Sequence, residues 1–132
     1  SAFGDSQAIS DVALYIDTLK MNPNPGHGTG DDMEKAERMY FNKCAQCHGT
    51  SGQGDPEKFY PRIHGQHYEY LLRQLKWIQD GYRSNAKKTM MRKIKRMKQE
   101  DLELIADYIS RLKPPAELMA PADWKNPDYW NK

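Results

Sequence analysis

The sequence predicts an all-α protein: three to four helices wrapped around one site, with an extra helix ahead of them. Three observations carry that reading. Apolar residues recur at helical spacing, i, i+3, i+4 and i+7, in several separate stretches. Clusters of proline and glycine separate those stretches. One of them closes on Cys44-Ala45-Gln46-Cys47-His48, a pattern that belongs on a helical turn.

The pattern C-x-x-C-H reads as a covalent attachment site for c-type haem. Two thiols three positions apart share one face of a helical turn. They can then reach the two vinyl groups on one porphyrin edge and form thioethers, while the next residue, His48, falls under the iron as proximal ligand. Cys44 and Cys47 are the only cysteines, so none is left for a structural disulfide. Three other readings are weaker. A thioredoxin-like pair follows a strand and opens a helix, whereas this one closes a helical pattern. Zinc wants four ligands, and His64 with His67 is not a typical second pair. A disulfide across so short a loop stabilises little.

The chain has 132 residues, enough for one domain and little more. Its hydrophobic fraction of 38% and mean hydropathy of −0.95 are lean for a self-sufficient core. A covalently held apolar macrocycle repairs that deficit. The net charge of +2 gives no global argument for nucleic acid. No apolar run approaches the ~20 residues of a membrane span. Thiols committed to covalent haem fit a periplasmic or otherwise extracytoplasmic location.

In chain order, residues 1–22 hold a helix whose stripe is Ile9, Val12, Ala13, Ile16 and Leu19, with Ser6 or Ser10 placed to cap it. Residues 23–31 form a linker, because Asn22–Gly30 contains two prolines and three glycines. His27 reads as a solvated linker residue. The main domain, 32–115, opens with a helix from about Asp32 to Cys44. An irregular loop follows from Thr50 to Ile63, held open by Pro56 and Pro61. A second helix runs from about Gln66 to a C-cap at Gly81, with the stripe Tyr70, Leu71, Gln74, Leu75 and Ile78 and with Trp77 beside it. His64 and His67 flank its start as surface or capping residues, or as a sixth iron ligand.

Seven of the twelve residues from Lys87 to Lys98 are basic. The last helix, about Gln99–Lys113, carries Leu102, Ile105, Ala106, Ile109 and Leu112, and Pro114-Pro115 stops it. Residues 116–132 read as an extended tail with Pro121, Trp124, Pro127, Tyr129 and Trp130.

The first and last helices match at an offset of 93. Ala13, Tyr15, Ile16, Leu19 and Lys20 equal Ala106, Tyr108, Ile109, Leu112 and Lys113. A shift close to one small domain suggests duplication. Residues 1–22 are then expected to be the last helix of a preceding, similar domain. The alternative is a native helix that packs on its own domain or on a second subunit.

Residues 32 to 113 resemble the class I c-type cytochromes, and most closely one domain of the periplasmic dihaem cytochromes c. The likeness rests on Cys44–Gly49, on Pro61-Arg62-Ile63-His64-Gly65-Gln66 with Tyr70, Leu71, Gln74 and Leu75, and on Glu100-Asp101-Leu102 leading to Ala106–Ile109. The resemblance implies a small cytochrome c fold around one covalent haem c. It implies a methionine as sixth ligand just before the last helix. Gapless alignment back from Tyr108 favours Met90, with Met91 as the alternative, and leaves Met97 for packing. It also implies that Pro61 offers its carbonyl to the second ring nitrogen of His48, and that Arg62 or Trp77 lies near a propionate. A His/Met iron with both axial positions filled cycles Fe(III)/Fe(II) and has no place for substrate, so an electron carrier is expected rather than an enzyme. The basic stretch departs from the resemblance. Lys87, Lys88, Arg92, Lys93, Lys95, Arg96 and Lys98 are expected to dock an acidic redox partner. Two alternatives stay open: a haem domain of a larger redox complex, and a sensor or peroxidase-like protein with a labile sixth ligand.

Overall fold

The computed structural model describes residues 6–123, and these are helical with no β-strand among them. Residues 24–115 form one compact unit; residues 6–23 and 116–123 belong to a second.

The larger unit contains five helices. α2 spans Met33–Lys43 and α3 is the single turn Ala45–His48. α4 spans Tyr68–Gln79, α5 Lys88–Lys95 and α6 Gln99–Arg111. α1, Ser6–Thr18, lies in the smaller unit. α2 and α4 both pack on α6, and α5 packs on α4.

The buried stripe of α6 is the one its spacing predicts: Leu102, Ile105, Ala106 and Ile109 are all at most 3% exposed. Against it α2 sets Ala36 and Tyr40, both fully buried, with the Tyr40 ring 5.2 Å from that of Tyr108. Leu71 of α4 joins that cluster. A second cluster, Ile78, Ile94 and Leu102, binds α5 to α4 and α6. Leu72, Leu75 and Met97 touch both clusters and stay only partly buried.

α5 was not expected as a helix. Its seven-in-twelve positive charge hid the spacing Met90, Ile94, Met97, which is i, i+4, i+7. The helix is short, has Lys88 in its first turn and has no side-chain cap at Lys87. Cations at an N-terminus oppose the helix dipole, and eight residues are too few to hold a helix unaided. Tertiary contacts therefore hold it.

The segment read as a linker is also tied down. The Asp107 carboxylate of α6 accepts the backbone N–H groups of Gly28 (2.9 Å) and Gly30 (2.8 Å), and the guanidinium of Arg111 (2.8 Å). His27 Nδ1 lies 2.9 Å from Ser110 Oγ, so His27 is bonded rather than merely solvated. A Cβ on Gly28 would sit 2.9 Å from the Asp107 carboxylate, so the close approach requires glycine there. Burial pushes the Asp107 carboxyl up, but the Arg111 guanidinium and the two amides more than offset it and hold it below the usual carboxylate range.

In the smaller unit, Met21 bridges to Met119, and Lys20 Nζ donates to the Glu117 carbonyl at 2.6 Å. The α1 stripe is open: Ile9, Val12, Ile16 and Leu19 are 41–58% exposed. Trp124, Pro127, Tyr129 and Trp130 of the expected tail lie outside the described residues.

Candidate haem site

α2 ends at Cys44, whose N–H still donates to the Tyr40 carbonyl at 2.8 Å. The chain turns once more through α3, and His48 N–H donates to the Cys44 carbonyl at 3.0 Å. Cys44, Cys47 and His48 thus sit on one turn, and both thiols are free. Burial pushes the Cys44 thiol up to about 11, while Lys93 and Lys43 pull it back down. A thiol so poised is a poor thiolate, which speaks against thioredoxin-like chemistry. Among the described residues no three His, Cys, Asp or Glu side chains gather as a metal cluster.

His48 is 8% exposed, and its Nδ1 lies 2.9 Å from the Pro61 carbonyl. A carbonyl only accepts, so Nδ1 carries the proton, and Nε2 is the nitrogen left for a metal. The contact depends on Gly54. Its N–H donates to the His48 carbonyl at 2.7 Å, and its φ is +70°. A Cβ there would fall 2.5 Å from the Tyr60 carbonyl oxygen and 2.7 Å from the Pro61 carbonyl carbon. The loop can fold Pro61 onto His48 only because position 54 has no side chain.

The two methionines of α5 differ in surroundings. Met91 lines an outer groove of about 600 Å³ with Ile78, Gln79, Asp80, Gly81, Lys88, Arg92 and Lys95. Met90 does not line it. Lys93, one turn beyond Met90 on the same face, donates from Nζ to the Lys43 carbonyl at 3.3 Å, beside Cys44. Met90 thus shares a helix face with the cation that reaches Lys43, while both methionines pack on Ile78, Ile94 and Leu102.

The remaining candidates are scattered. His64 is not a surface residue: it is 3% exposed, both ring nitrogens lack a partner among the described residues, and burial and Arg62 lower its pKa. His67 sits at the N-cap position of α4 and bonds the Pro25 carbonyl through Nδ1 at 2.9 Å. Arg62 is exposed. Trp77 is 44% exposed, away from the buried Leu71 and Ile78, with the Arg73 guanidinium 5.3 Å from its ring. Its contact with Arg73 lies within α4. Sequence reasoning missed Gln79, whose Nε2 donates to the Ile94 (3.1 Å) and Met97 (2.8 Å) carbonyls at the end of α5.

These residues fit a covalent haem. Two unpaired thiols and a histidine of fixed tautomer share a turn. Cys44, Ala45, Ile63, Leu72, Leu75, Met90, Met91 and Met97 are apolar side chains that pack on the two core clusters and stay only partly buried. A large apolar group bound there would complete their burial.

The comparisons agree. The family description Cytochrome c matches residues 33–113. Cytochrome c4 of Azotobacter vinelandii is 31% identical over 116 residues, covering 80% of this chain and 54% of that protein. A protein of Thiomonas intermedia named as a thiosulfate dehydrogenase electron acceptor is 39% identical over 71 residues, 54% of this chain and 32% of its own length. Among solved structures, reduced recombinant cytochrome c4 from Pseudomonas stutzeri superposes with a TM-score of 0.65 at 24% identity, covering 83% of this chain and 62% of that one. Cytochrome c4 of Acidithiobacillus ferrooxidans gives 0.60 at 28%, covering 82% and 66%. The chain spans about half the length of the curated cytochrome c4 relatives it matches. Matched to that family over residues 33–113, the chain belongs to the cytochrome c family.

Proposed function

We propose that this chain carries single electrons between redox proteins outside the cytoplasm. Its haem is joined to Cys44 and Cys47, with His48 and Met90 as axial ligands. The haem, once bound, supplies a one-electron Fe(III)/Fe(II) couple. The chain's own residues do the rest. His48 presents Nε2 as a ligand because Pro61 occupies Nδ1, and that hydrogen bond raises its basicity. Met90 supplies a soft sulfur that favours the reduced state. The apolar rim excludes water, and two committed ligands leave no place for substrate. The observation that carries this reading is the His48–Pro61 contact on the Cys44–His48 turn.

The oxidised holoprotein is expected to show the weak red-edge sulfur-to-iron band, and its reduced form to leave carbon monoxide unbound. Met90→Leu removes the band and Met91→Leu keeps it. The reverse pattern would transfer the role to Met91. A bandless wild type that binds carbon monoxide would replace the carrier with an open-site sensor or enzyme.

The cations of α5 make an acidic redox partner the fitting one, since steering by opposite charge speeds encounter. The α1 stripe repeats the buried α6 stripe yet stays open, and this supports a preceding haem domain that α1 would complete. Deleting residues 1–22 should then leave the haem spectrum and the thermal midpoint of the 24–115 unit in place. Loss of that domain's fold would make α1 part of it instead.

A further inference from the structure

The basic run does not have a single role. Two of its cations reach across to other elements. Lys87 Nζ lies 4.0 Å from the centroid of the Tyr60 ring and 3.5 Å from the Lys58 carbonyl. Lys93 Nζ donates to the Lys43 carbonyl, at the C-terminal end of α2. That carbonyl end carries the negative pole of the helix, so an ammonium is the favoured donor there. Lys88, Arg92 and Lys95 line the outer groove with Met91, Lys93 borders a second groove with Arg92, Lys95 and Arg96, and of these cations only Lys93 donates to the backbone of another helix.

We propose that Lys87 and Lys93 are positioning residues that pin the methionine-bearing helix to the loop before Pro61 and to the cysteine-bearing helix. Docking charge is thereby left to Lys88, Arg92, Lys95 and Arg96. The argument rests on the Met90 reading and on the weakness of α5. The helix has eight residues, an unhelpful lysine in its first turn and no side-chain cap, so its placement depends on outside ties. Gln79 fixes the C-terminal end to α4. Lys87 fixes the N-terminal end, and Lys93 fixes the face that carries Met90.

The test uses the ferric holoprotein and exogenous imidazole, which competes with the methionine for the iron. Lys93→Met keeps the aliphatic stem and removes the donor. It should raise imidazole affinity about tenfold, which corresponds to 1.4 kcal/mol, and Lys93→Arg should restore most of the difference. Lys95→Met removes an equal charge from the outer face and should leave imidazole affinity unchanged. Lys35→Met breaks the 3.6 Å Lys35–Asp101 pair, which ties α2 to α6 without involving α5, and controls for general loosening. If Lys93→Met matches Lys95→Met or Lys35→Met, the positioning role is overturned. A wild type without the sulfur-to-iron band overturns it by a separate route, through the ligand on which it rests.

Discussion

Replacing Gly54 by alanine tests how the loop sets the electronic character of His48. The substitution adds one methyl group at φ +70°, where an L side chain costs about 1–2 kcal/mol. The methyl would also lie 2.5–2.8 Å from the Tyr60 oxygen, the Pro61 carbonyl carbon and the Arg62 nitrogen. All three are backbone atoms and cannot rotate away. The least costly relaxation moves the Tyr60–Arg62 segment outward, and the Pro61 oxygen leaves its 2.9 Å contact with His48 Nδ1. A lost hydrogen bond of this kind is worth about 0.5–1.5 kcal/mol. The imidazole then donates less charge to the iron, the ferric state loses more than the ferrous, and the reduction potential rises. Since tenfold in a one-electron equilibrium is about 59 mV, the expected rise is about 20–60 mV. Spectroelectrochemical titration of the two holoproteins measures it, and chemical denaturation measures the accompanying loss of stability. A variant that loses stability while keeping the wild-type potential would refute the reasoning. Its His48 would then be insensitive to the Pro61 contact.

Asp107→Asn should destabilise the holoprotein by about 2–3 kcal/mol, because one amide of the 28–30 segment loses its acceptor and Arg111 loses its charge partner. The thermal midpoint should fall by about 10 °C or more. The Asp107 carboxyl is held below its ordinary value in the folded state. Its contribution is therefore fully present above the unfolded value near 4 and lost as pH falls through the folded value. The gap between wild type and variant should shrink in acid; a gap that is constant from pH 6 to acid would remove the carboxylate from the account. Reversing the outer charges with Lys95→Glu and Arg96→Glu should slow reduction by an acidic donor about tenfold at low salt and flatten the salt dependence. Stopped-flow mixing across ionic strength checks this, and an unchanged slope would move docking elsewhere.

What could be read from the sequence was whatever depends on local spacing. The stripes of α4 and α6 fix which residues face inward, and the structure buries Leu71, Ile105 and Ile109 accordingly. The cysteine turn was equally plain, since three functional side chains lie within five residues. Non-local pairing was hidden. Nothing in Asn24–Gly30 reveals that an aspartate 77–79 positions away collects its amides, so a proline- and glycine-rich stretch read as loose. In α5 the dominant signal, charge, masked the weaker apolar period.

Both segments escape a reading from composition for one reason. Composition describes how a segment behaves alone, and both segments are held by partners distant in sequence. α5 shows the consequence for function. A self-sufficient helix would fix the sixth ligand whatever its neighbours did. This one depends on Gln79, Lys87 and Lys93, so the hold on the methionine becomes a property of α2, α4 and the Tyr60 loop together. The end of α2 that leads into the cysteine turn is joined to α5 through the Lys93–Lys43 contact. A change that loosens either side should therefore register at the iron.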